Sequence, residues 1–211
     1  MLSSAIVLGG ALLLGGGLAA AQDATPAAVD LSPNPDQCTQ APRTLEAIQA
    51  ITATPVAGQT VIEISSAADL PAGEQAPKEA IDGVVATIVE NVACFNAGNT
   101  LALFGGMTDA YLLTRIGEGS YGQALVDMGS GTPVALADAQ QTQLLDTREF
   151  TLYPDGRVGV LVYYKAPSTQ SGDEVRIDLW IFKEVDGRWL LDENISGLET
   201  ALQDLATPAA G

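Results

Sequence analysis

From Ile81 to Phe95 the apolar residues Ile81, Val84, Val85, Ile88, Val92 and Phe95 recur every three or four positions, which lays them on one stripe of a helix. Pro77 is suited to open this helix and Gly98 to close it. Asn99 can cap a second, short helix over "TLALFG", and Thr108 or Asp109 a third through "AYLLTRI". Upstream, "RTLEAIQAI" places Leu45, Ile48 and Ile51 at helical spacing. After a Gly/Ser-rich middle the period changes to two. "LLDTREFTLY", "RVGVLVYYK", "VRIDLWIFKEV" and "RWLLDEN" read as strands, joined by turns at "PDG" (Pro154 to Gly156) and "DG" (Asp186 to Gly187). Helices first and hairpin-linked strands afterwards predict an α+β fold, its helices packed on an antiparallel meander. The segment from Thr25 to Gln40, rich in Pro, Ala, Asp and Asn, reads as a lead-in. Thr54 to Pro77, with the β-like run "TVIEI", is expected to wrap the surface.

Charge and residue types narrow the chemistry. With 26 acidic against 9 basic side chains, the net charge is -17, and no Lys/Arg cluster offsets it locally. Nucleic acid and anionic lipid surfaces are therefore excluded as expected partners. Histidine is absent altogether. Ser-His-Asp and Cys-His catalysis, H-E-x-x-H proteolysis and imidazole-ligated metal sites go with it, so any catalysis must run on carboxylates, tyrosines, Lys or Arg. No calcium-loop pattern of the D-x-D-x-D-G type occurs, and neither a metal nor a cofactor is expected.

The first residues are uncharged and apolar from Leu2 to Ala21, then turn polar, and Ala19-Ala20-Ala21 is an A-x-A cleavage signature. Export with cleavage after Ala21 is the expectation, with retention of the segment as a membrane anchor as the alternative. In an oxidising compartment Cys38 and Cys94 become a candidate disulfide. No membrane contact is expected beyond residues 1–21. The predicted organisation is a leader over 1–21, an extension with a short helix over 22–76, the α+β domain over 77–197 and a tail over 198–211.

"ACFNAGNTLALFGGMTDAYL", followed by "YPDGRVGVLVYY" and "VDGRWLLDENI", resembles the nuclear transport factor 2-like superfamily, which includes the SnoaL-like and ketosteroid isomerase-like proteins. The likeness runs from about Pro77 to Ser196. It implies a cone: one long and two short helices over a strongly curved sheet, with an apolar pocket between. Members include ketosteroid isomerases, scytalone dehydratase and polyketide cyclases, alongside relatives that only bind or scaffold, so the fold does not settle the function. The sequence lacks the histidines of the dehydratase-type sites.

Gly117, Gly119 and Gly122 in "GEGSYG" fit G-x-G-x-x-G, the pattern of a dinucleotide loop. Such a loop needs a strand before it and a parallel crossover after it, and the tight turns downstream cannot make one. These glycines read instead as a connection between helix and sheet.

Candidate site residues follow from strand alternation. "VRIDLWIF" puts Arg176, Asp178, Trp180 and Phe182 on one face and Val175, Ile177, Leu179 and Ile181 on the other. Because the second face is wholly apolar, we place it against the helices and leave Asp178 paired with Arg176 in water. With the faces reversed, Asp178 would be a buried carboxylate with a raised pKa, as a general base requires. Asp109 is the other candidate carboxylate, and most simply a helix cap. Tyr163 and Tyr164 point to opposite faces, so one of them reaches the interior. Tyr111, Tyr163 and Trp180 are the candidates for lining a pocket. Trp189 reads as core, and Asp192 and Glu193 as residues on opposite faces. An outward Trp180 and Phe182 would also suit a homodimer through the sheet. The expected function is that of an exported, non-catalytic domain binding a small apolar ligand or another envelope protein. The alternative is a cofactor-independent isomerase or dehydratase using a pocket carboxylate and a tyrosine.

Overall fold

The long helix forms where the stripe predicts it: α2 spans Lys78–Asn96 and turns Ala80, Val84, Ile88 and Val92 inward. Pro77 occupies its N-cap position, and Gly98 ends it in the left-handed conformation (φ +64°). A computed structural model describes residues 33–52, 64–117, 127, 129–167 and 175–202. The leader over 1–21, most of the "TVIEI" run, and Gly119 and Gly122 lie outside the described residues.

Before α2 come α1 (Leu45–Thr52) and a two-residue strand β1 (Glu74–Gln75). After it come α3 (Thr100–Gly105) and α4 (Asp109–Gly117). Asn99 caps α3, its Oδ1 accepting from Ala102 N at 3.2 Å. Thr108, not Asp109, caps α4: its Oγ1 accepts from Tyr111 N at 3.1 Å and donates to Asp192 at 2.8 Å. "AYLLTRI" is thus helical and Gly117 ends that helix, so no strand leads into the glycine pattern.

The four predicted strands are present as β2 (Gln143–Leu152), β3 (Val158–Lys165), β4 (Val175–Val185) and β5 (Arg188–Ile195). They form an antiparallel five-stranded sheet in the order β1-β2-β3-β4-β5. Both turns read from sequence close hairpins, with positive φ at Gly156 (84°), Asp186 (51°) and Gly187 (75°).

The sheet is covered on both faces. Val158, Val160 and Val162 of β3 and Phe182 of β4 pack with Val84 and Ile88 of α2 in one core. Leu161 and Tyr163 of β3 and Ile177, Leu179 and Ile181 of β4 form a second core on the opposite face. That second core is closed by Leu198 and Leu202, with Ile64 and Leu70 packed against it. The faces of β4 are therefore the reverse of those expected from sequence: Asp178, Trp180 and Phe182 look toward the helices. The expectation assumed that the helices were the only available cover, whereas residues 64–70 and 198–202 cover the wholly apolar face. Trp180 and Phe182 are consequently not on an outer surface where a second copy could meet them.

The disulfide Cys38–Cys94 ties the lead-in to α2. The residues just after Cys38 continue the attachment. Gln40 Nε2 donates to Ala102 O at 2.6 Å, and Arg43 donates to Phe104 O at 2.9 Å and Met107 O at 2.6 Å. A third cluster, Ile48 with Phe104, Leu112 and Ile116, joins α1, α3 and α4.

Candidate functional site

At its N-terminal half α2 lies close on the sheet, for a Cβ at Gly83 would press into the Trp189 ring. Farther along, a cavity of about 330 Å³ opens between helices and strands. Its helical wall is Asn91, Val92 and Phe95 of α2, Leu103 and Phe104 of α3, Met107, and Tyr111 and Arg115 of α4. Its sheet wall is Val162 and Tyr164 of β3, Asp178 and Trp180 of β4, and Leu191 and Asn194 of β5. Phe95, 45% exposed, stands on the helical wall. A mostly apolar wall carrying a few convergent polar groups is the usual make-up of a small-molecule site, and the volume falls at the lower end of the usual range of roughly 300–1,000 Å³.

Asp178 is only 1% exposed. Its Oδ2 accepts from the Tyr164 hydroxyl at 2.8 Å and its Oδ1 from Gly197 N at 3.2 Å. Burial pushes its carboxyl above the usual carboxylate range, against the downward pull of those two hydrogen bonds. The nearby Trp180 and Asn194 side chains add smaller downward pulls, although Trp180 Nε1 has no partner at hydrogen-bond distance. Burial also raises the Tyr164 hydroxyl, and the Asp178 charge beside it adds to the effect. Tyr111, 6% exposed, is raised by burial as well, opposed first by the Arg115 guanidinium 5.8 Å from its ring centre.

Among the described residues three buried side-chain atoms have no hydrogen-bond partner: Asn91 Nδ2, Trp180 Nε1 and Asn194 Oδ1. All three belong to residues lining this one cavity. An unmatched buried polar group costs on the order of 1–3 kcal/mol, so such a concentration is characteristic of a site whose partners come from elsewhere.

The sequence candidates divide accordingly. Asp178, Trp180 and Tyr111 meet in the cavity. Tyr163 does not; it lies in the second core, with the Arg148 guanidinium 4.7 Å from its ring centre. Of the β3 pair, Tyr164 is the one that reaches the cavity. Asp109 is also elsewhere, exposed at the start of α4 and ion-paired with Arg43 at 2.6 Å.

Asn91 and Asn194 were not singled out from sequence. Asn91 had a signal, since it falls on the buried stripe of α2 one turn after Ile88. Asn194 had none, because β5 carries a bulge: Phe182 pairs with Leu191 and Ile181 with Glu193, leaving Asp192 as an extra residue. The extra residue breaks the alternation, so that Leu191 and Asn194 both face the cavity. It also lets Asp192 and Glu193, expected on opposite faces, reach the same Arg157 Nη1 at 3.3 and 3.1 Å.

The arrangement can do two things. It can shelter an apolar molecule and satisfy its polar end, and it can offer a carboxyl of raised proton affinity beside a hydroxyl donor. Among the described residues no cluster of acidic or sulfur side chains gathers to hold a metal ion. No helix among them is long and apolar enough to cross a membrane. No protein-family model, curated protein or solved structure matches the chain.

Proposed function

We propose that this chain is an exported domain that binds a small, mainly apolar molecule in the cavity between its helices and its sheet. The observation that carries the reading is the gathering of the buried polar atoms without partners on the wall of this one apolar cavity. The Cys38–Cys94 disulfide and the A-x-A signature support export. One long and two short helices over an antiparallel meander support membership of the nuclear transport factor 2-like cones, in which a pocket lies in the same place. The test is to map fragment binding by NMR on the wild type and on Leu103→Trp, which fills the cavity from α3. Fragments that shift the Trp180 and Tyr164 signals in the wild type, and lose affinity in the variant, support the reading. Fragments that bind both proteins equally refute it.

A second reading, a cofactor-independent isomerase or dehydratase, is favoured by the Asp178 carboxyl and its hydrogen bond to Tyr164. In it Asp178 takes a proton from carbon next to a carbonyl, and a neighbouring N–H or O–H donor holds the developing oxyanion. Its test is deuterium exchange at the α-carbons of 2-tetralone, followed by proton NMR. Exchange above the buffer rate that is lost in Asp178→Asn supports it; exchange at the buffer rate rules it out for that ketone class.

A further inference from the structure

Resting on the ligand-binding reading, we infer that the cavity selects its ligand by charge, taking a small aromatic amine whose protonated nitrogen lies beside Asp178. Asp178 is buried, and among the described residues the donors on its oxygens are neutral, the Tyr164 hydroxyl and Gly197 N. Among the described residues no Lys or Arg nitrogen comes within 4.0 Å of it. A carboxylate so placed lacks a compensating charge, and a ligand cation supplies one. Asn194, opposite Trp180 across the β4–β5 ladder, adds a buried oxygen with no donor of its own.

The surrounding wall suits a cation as well. Among the described residues five aromatics line this cavity: Phe95, Phe104, Tyr111, Tyr164 and Trp180. Ring faces attract ammonium groups, the more strongly where water is excluded. A protein of net charge -17 also draws cations toward itself and repels anions. Arg115, the one cation on the wall among the described residues, is exposed and rests over the Tyr111 ring, so its charge stays hydrated and the ligand nitrogen belongs at the Asp178 end. The unpartnered donors Trp180 Nε1 and Asn91 Nδ2 leave room for an oxygen elsewhere on the same molecule. As for size, a cavity of about 150 Å³ holds a benzene, so this one has space for two fused rings.

A matched trio tests the inference: 2-naphthylmethylamine, 2-naphthylmethanol and 2-naphthoate, titrated calorimetrically at pH 7 into the wild type and Asp178→Asn. The amine is expected to bind the wild type at least tenfold more tightly than the alcohol, and the naphthoate most weakly. In Asp178→Asn the amine and the alcohol should come level. An alcohol that binds the wild type as well as the amine overturns charge selection and leaves the ligand-binding reading standing, as does an amine preference that survives in the variant. Failure of all three to bind, with the protein folded, removes both. Should Asp178→Asn not fold, the wild type is titrated at pH 7 and pH 4. The charged and titratable groups around Asp178 are Tyr164, Tyr111, Arg115, Arg176 and, behind β4, Glu199. The preference for the amine should shrink at pH 4, and an unchanged preference overturns the inference.

Discussion

Reducing the Cys38–Cys94 bond is expected to cost about 4 kcal/mol of stability. The two cysteines lie 56 residues apart, and closing a loop of that length lowers the entropy of the unfolded chain by about 14 cal/mol/K, or about 4 kcal/mol at 25 °C. Little of the native structure need change on reduction. Cys94 is fully buried, so its thiol remains a small apolar filler. The lead-in also keeps the hydrogen bonds of Gln40 and Arg43 to the carbonyls of Ala102, Phe104 and Met107. The loss thus arises mainly from freeing the unfolded state. Urea unfolding followed by tryptophan fluorescence, with and without a phosphine reductant, measures it. With a slope of roughly 2 kcal/mol/M, the midpoint should fall by about 2 M. A fall below about 0.5 M would show that the unfolded chain is already confined without the bond, and would refute the entropic account.

Three other perturbations follow from the site and the sheet. Burial raises the Asp178 pKa above its ordinary 3.8, so the native state holds that proton more tightly than the unfolded state; its contribution is complete below 3.8 and is lost as pH rises through the raised value. Asp178→Asn should flatten the decline in Tm from about pH 4 toward neutrality, and parallel Tm–pH curves for the two proteins would exonerate Asp178. Tyr164→Phe withdraws the 2.8 Å donor from that carboxyl and should cost about 1–3 kcal/mol, more at pH 7 than at pH 4, because the ionised form loses most. Urea unfolding at the two pH values decides it, equal losses counting against the reasoning. A Cβ at Gly159 would run into the Tyr153 ring, so Gly159→Ala should destabilise by about 1–3 kcal/mol in thermal denaturation, and a change under about 0.5 kcal/mol would contradict the packing described.

Periodicity sufficed for the long elements, because α2, β3 and β4 each carry one unbroken pattern over many residues, whereas the two-residue β1 at Glu74–Gln75 is too short to show a period and was not expected. Caps and turns were readable for a local reason: Asn99, Gly98 and Gly187 act on backbone within a few positions of themselves. The choice between the two faces of β4 is of another kind. Both Val175-Ile177-Leu179-Ile181 and Trp180-Phe182 are apolar enough to be buried, and what covers each is decided by segments as distant as Leu70 and Leu198. With the face went the site: Asp178 was identified as a residue but assigned to solvent, Trp180 was named both for a pocket and for an outer dimer face, and Tyr163 stood in for its neighbour Tyr164. Asn194 was hidden by a single extra residue in β5, since a bulge leaves no mark on hydrophobic alternation.

The covering of the sheet's second face has a consequence for the chain as it is made. Val158 to Tyr163 is buried residue by residue, and half of that surface is sealed by Leu198 and Leu202, which are synthesised after all five strands. Until they arrive, the hairpins of β3 and β4 can pair but keep a naked apolar flank carrying Leu161, Ile177, Leu179 and Ile181. A nascent chain in that condition is a client for holding factors and a hazard to its neighbours on a polysome. The exposure ends when the segment after β5 is free to fold back onto the sheet.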